Sequence, residues 1–167
     1  MVLSFSVASL ASTRDRYSHM PNRELTPGAA GDVAKDDLCR SSYKNADRHV
    51  PVPLKRQVFD RYRVRENAIG YNVDHLIPVS LGGSNSIKNL WPQPLSAEWS
   101  YHMKNRLEHR LHKMVCSGKL ELKTAQQEIA TDWVSAYKKY LAGSNQKTPS
   151  QHRRRPGGAH HGAARPR

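Results

Sequence analysis

A mainly helical α+β fold is the expectation for this 167-residue chain, and three observations carry it. Two short apolar stretches, 71–77 and 89–91, flank the turn Gly82-Gly83-Ser84-Asn85 and read as a pair of strands. Two long stretches, 96–116 and 122–141, carry apolar residues at helical period. Both ends of the chain are polar and small-residue-rich and do not read as packed structure.

Taken in order, residues 1–21 read as a disordered N-terminus or a remnant secretory signal. The stretch 2–12 is weakly apolar but lacks a positive n-region. Residues 22–143 read as one domain, of which the part before residue 51 is irregular. Asn22 to Gly28 is turn chemistry. Asp36-Asp37-Leu38-Cys39 reads as a short helical turn, and Leu25, Leu38 or Cys39 would dock this arm. A helix is expected over 53–62, because Leu54, Val58, Phe59 and Tyr62 share one stripe. Its basic neighbours, from Lys55 to Arg65, suit a solvated face or phosphate contact.

Between the strands and the next helix, Pro92 and Pro94 are expected to end the second strand. Ser96 is expected to cap the helix 96–116, and Gly118 to end it. Its core stripe is Met103, Leu107, Leu111, Met114 and Val115. Glu98, His102, Asn105 and His109 fall on a separate polar face. The helix 122–141 buries Ala125, Ile129, Trp133, Ala136, Tyr137 and Tyr140. The short turn at Gly118 predicts an antiparallel hairpin of these two helices. Trp91, Trp99 and Trp133 read as core or docking residues.

The formal net charge is +13. Residues 144–167, read as a disordered basic tail, hold six Lys or Arg and no acid, so the rest of the chain still carries +7. That balance points to a polyanionic partner, most simply nucleic acid. No run of 18 apolar residues exists, so no membrane span is expected. Cys39 and Cys116 are far apart and no Cys-x-x-Cys occurs, which excludes a zinc knuckle. The two cysteines read equally as a disulfide or as two reduced thiols.

The chemistry concentrates in Asp74-His75 at the end of the first strand, with Asn89 fourteen residues after the histidine. Strand, turn, strand and helix bearing these residues resemble the HNH endonucleases, or ββα-metal nucleases. The likeness is specific over residues 69–110. The runs YNVDHLIPVSLGGSNSIKNLWPQP, HMKNRLEHRLHKMVCSG and AQQEIATDW are similar to a subgroup of small bacterial HNH proteins. With that subgroup the likeness covers residues 22–141.

The resemblance implies a hydrolase of nucleic-acid phosphodiester bonds. Such a reaction needs a base to activate water and a cation to offset charge on the phosphate. The resemblance places the general base on His75, whose imidazole ordinarily titrates near pH 6.5. It places a metal ligand on Asp74 and gives Asn89 the bracing of the loop. The second ligand falls on His102, with Asn105 and then Glu98 as alternatives. Asn105 stands where the subgroup leads one to expect an acid. Mg²⁺ or Mn²⁺ is the expected cofactor, with Zn²⁺ or Ni²⁺ admitted by a histidine ligand. No small-molecule cofactor is implied.

DNA is expected before RNA, with Lys88, Lys104, Arg106 and Arg110 on phosphates and low sequence specificity. The alternative is a non-catalytic nucleic-acid-binding protein on the same scaffold, and a weaker one is a basic interaction protein that binds through its tail. The compartment, cytoplasmic or exported, stays open.

Overall fold

In a computed structural model, residues 20–40, 43, 49–64, 70–95 and 98–141 are described. The expectations for the N-terminus before residue 20, for Arg65, for Ser96 and for the tail lie outside these residues. The described residues form a mainly helical α+β fold: α1 (Lys35–Leu38), α2 (Val52–Arg61), β1 (Tyr71–His75), β2 (Leu90–Pro94), α3 (Tyr101–Cys116) and α4 (Leu122–Leu141). Among them no helix is long and apolar enough to cross a membrane.

β1 and β2 pair antiparallel, with Asp74 opposite Trp91 and His75 opposite Leu90. β2 runs through Pro92 and Pro94 instead of stopping before them. The bonds that close the ladder explain why. Leu76 N–H donates to Asn89 O and Leu95 N–H to Gly70 O, each at 2.8 Å. Even-numbered β1 residues therefore hold the hydrogen-bonded positions, and Pro92 and Pro94 sit opposite Val73 and Tyr71 at the other kind. Both prolines are buried. At these outward-turned positions a missing N–H removes a donor that burial would have orphaned.

The ribbon is covered on both faces. Val73 and Leu90 pack with Val50, Val58 and Phe59, so α2 closes one side. Leu76, Ile77 and Trp91 pack with Leu107, Leu111 and Val115 of α3 and with Ala125, Ile129 and Trp133 of α4. The helix pair forms the expected hairpin, with Gly118 at φ +71° in the turn. α3 begins at Tyr101 with Ser100 as its N-cap, later than the sequence suggests. α4 bends at Asp132, whose backbone is extended. Its carboxylate accepts from Val134 N and Ser135 N, both at 3.0 Å, and so recaps the helix. Arg23 donates to the Thr131 carbonyl beside the bend.

The arm before α2 docks by side chain, backbone and covalent bond. Thr26 is fully buried, bonding Tyr62 Oη at 2.7 Å and donating to Leu90 O at 2.9 Å. Gly28 N–H donates to Lys88 O, and Ala30 bridges Gly83. Leu38 is buried, and Cys39 is disulfide-bonded to Cys116 at the end of α3. The turn at Gly82-Gly83 needs both glycines. Gly82 has φ +78°, and a Cβ on Gly83 would stand 1.7 Å from the Ile77 carbonyl oxygen.

Candidate active site

Strand alternation sends neighbouring residues of β1 to opposite faces. Asp74 faces α3, while His75 turns toward the loop carrying Asn85. Both line a cavity of about 180 Å³ with Asn72, Ser80, Asn105 and Glu108. The loop that follows His75 is held by Asn89, which is fully buried. Its amide oxygen accepts from Ile77 N at 2.9 Å and Ala29 N at 3.3 Å. Its amide nitrogen donates to Ile77 O and Ser84 O, both at 2.9 Å. One side chain thus ties both arms of the loop and the N-terminal segment together. The geometry is that of a brace.

His75 Nε2 lies 2.7 Å from Asn85 Oδ1. The Asn85 amide is oriented by its nitrogen, which donates to His49 O at 3.1 Å. Asn85 Oδ1 is therefore the acceptor, and His75 carries its proton on Nε2. In the neutral ring the lone pair is then on Nδ1. His75 is 7 % exposed, so its ring orientation is set by packing as well as by this bond. Asn85 is a turn residue by sequence, and its role in orienting the imidazole emerges only from the fold.

Lys104 is the main correction. Its sequence neighbours made it a solvated cation for phosphate, but it is fully buried. It occupies the first position of the buried stripe Lys104, Leu107, Leu111 and Val115. Its ammonium donates to Asp74 Oδ2 at 2.8 Å, Glu108 Oε1 at 2.6 Å and His75 O at 2.6 Å. All three donor hydrogens thus have acceptors. Burial alone would lower the lysine pKa. The Asp74 and Glu108 carboxylates outweigh it and hold the ammonium above the ordinary lysine value. The cluster of two carboxylates and one ammonium has a formal charge of −1.

The inward position of Lys104 fixes which helix residues reach the cavity. His102 lies two residues before it, roughly 200° around the helix. It is exposed and stacks against Tyr101 with ring centroids 3.8 Å apart. Glu98 precedes the helix and is exposed. Neither lines the cavity with Asp74, and Asn105 does. Glu108 joins it, although nothing singled it out in the sequence beyond its place four residues after Lys104. Lys88, Arg106 and Arg110 are exposed as expected, with Arg106 5.9 Å from the Tyr137 ring centroid. Trp99 packs edge-on against Trp133 and Tyr137 as a docking residue.

Among the described residues no group of three His, Cys, Asp or Glu side chains gathers as a ligand set. The donors that do converge are oxygens: the Asp74 and Glu108 carboxylates and the Asn105 amide. That chemistry fits a hard divalent cation that keeps several waters. No protein family model, no curated protein and no solved structure matches this chain.

Proposed function

We propose that the chain is an HNH-type endonuclease, with β1, β2 and α3 as a ββα-metal core, that hydrolyses phosphodiester bonds of nucleic acid, DNA before RNA. The observation that carries this reading is the shared cavity. Asp74 and His75 line it from the strand side, and Asn105 and Glu108 from the helix side. Asn89 holds the intervening loop by three hydrogen bonds and the N-terminal arm by a fourth.

Asp74, Glu108 and Asn105 would hold a divalent cation, Mg²⁺ or Mn²⁺ by donor type, which offsets charge on the phosphate and the departing oxygen. His75 takes the proton from water on its imidazole, which the Asn85 amide helps to orient. The water oxygen attacks phosphorus, the P–O3′ bond breaks and the departing O3′ takes a proton from solvent water, leaving a 3′-hydroxyl and a 5′-phosphate. Lys104 holds the Asp74 and Glu108 carboxylates in place and keeps two like charges from repelling. Exposed Lys88 and Arg110 and the net charge of +13 favour a polyanion, with contacts that carry no sequence information.

A second reading has its own observation. Lys104 already neutralises one oxygen of Asp74, which favours a nucleic-acid-binding protein that does not cleave. Plasmid nicking separates the two. Cleavage is expected with Mg²⁺ or Mn²⁺ and is lost in EDTA. His75→Ala abolishes cleavage and leaves DNA affinity unchanged. Intact binding with no cleavage under any divalent cation leaves only the second reading.

A further inference from the structure

A second, larger cavity of about 620 Å³ adjoins the candidate active site. The two share Ser80, Asn105 and Glu108 as lining. Beyond that junction the larger one is lined by Leu38, Tyr43, His109 and His112. Its volume lies within the roughly 300–1,000 Å³ usual for small-molecule sites.

One wall is the N-terminal arm and the other is α3, and the two are joined in two ways. His112 Nε2 donates to Leu38 O at 3.2 Å. One residue after Leu38, Cys39 is bonded to Cys116, one helical turn after His112. These two ties hold the walls together beside the cavity.

Its lining selects the occupant. Among the described residues no lysine or arginine lines it, and the Glu108 carboxylate stands at its junction with the active site. A planar ring with an apolar face and polar edges suits an aliphatic side chain, a phenol, two imidazoles and an amide. We propose that this cavity is a base-binding subsite. It takes the nucleobase next to the phosphate that faces His75. This rests on the reading of the chain as a nuclease. It adds that the substrate strand is single, or locally opened, at the point of cleavage. A base stacked in duplex would have to leave its neighbours to enter.

The test uses the full chain in EDTA and two fluorescent probes. One is a single-stranded oligonucleotide of about four nucleotides, the scale that one binding groove accommodates. The other is its fully abasic counterpart. The base-containing probe is expected to bind about tenfold more tightly, the usual range for one stacked base. Tyr43→Ala and His109→Ala remove that difference and leave abasic binding unchanged, whereas Tyr43→Phe keeps it. Equal binding of the two probes overturns the subsite alone. Equal losses on both probes in the variants also overturn it. Failure to bind either probe overturns the nucleic-acid reading, and the subsite with it.

Discussion

The Lys104 ammonium stands 2.8 Å from the Asp74 carboxylate, with the lysine side chain fully buried and the aspartate about one-quarter exposed. Glu108, one turn on along α3, faces the same ammonium at 2.6 Å. Two carboxylates of the candidate site thus share one internal cation, itself shielded from water.

Removal of that cation should be costly. Lys104→Met leaves two carboxylates facing each other without compensation, and breaking a buried pair costs about 3–5 kcal/mol. Urea denaturation should show a loss of that size. Adding Asp74→Asn and Glu108→Gln should recover most of it. Mn²⁺ should stabilise Lys104→Met more than the unsubstituted chain, because the cation then takes the lysine's place. Equal stabilisation of both would separate the carboxylates from any metal role.

The same cluster sets an alkaline limit. Burial opposes the charged form, yet Asp74 and Glu108 hold the Lys104 pKa above its ordinary 10.5. A group whose folded pKa is raised contributes stability that is complete below the unfolded value and is lost as pH rises through the folded one. This contribution should stay constant across neutral pH and fall only above about pH 10.5. Thermal melts from pH 8 to 12 should show a steeper alkaline decline in the unsubstituted chain than in Lys104→Met. Parallel declines would remove Lys104 as the cause.

The Cys39–Cys116 disulfide spans 77 residues. Chain-entropy arguments give about 4.5 kcal/mol for closing a loop of that length. Unfolding measured with and without a dithiol reductant, or in Cys39→Ser, should differ by that amount. A difference below about 1 kcal/mol would mean that the buried Thr26, the Ala30 bridge to Gly83 and their hydrogen bonds hold the arm without help.

Much of the architecture was legible because it is periodic. The stripes of 53–62 and 122–141 match α2 and α4 closely, since each helix buries a continuous apolar face. The bend at Asp132 escaped the pattern. Its carboxylate recaps the chain within one turn, and the apolar stripe continues across it. Pro92 and Pro94 misled for a related reason. Proline is excluded only from positions that donate to a ladder, and which positions donate depends on the register with β1.

In the site, Asp74, His75 and Asn89 could be read from local order along the chain, because strand, turn and strand lie within about twenty residues. Asn89 can brace the loop only across a turn as tight as Gly82-Gly83 makes it. By itself, then, the sequence determined the helical stripes, the strand pair and turn, and the residues that gather at the end of β1. Tertiary structure alone decided what faces them. Whether α3 presents His102 or Asn105 depends on its rotation against the ribbon. That rotation follows from burying Leu107, Leu111 and Val115 beneath Trp91 and Leu76. With those three inside, Lys104 must be inside as well. A charge that reads as surface then survives burial only because Asp74 and Glu108 meet it there.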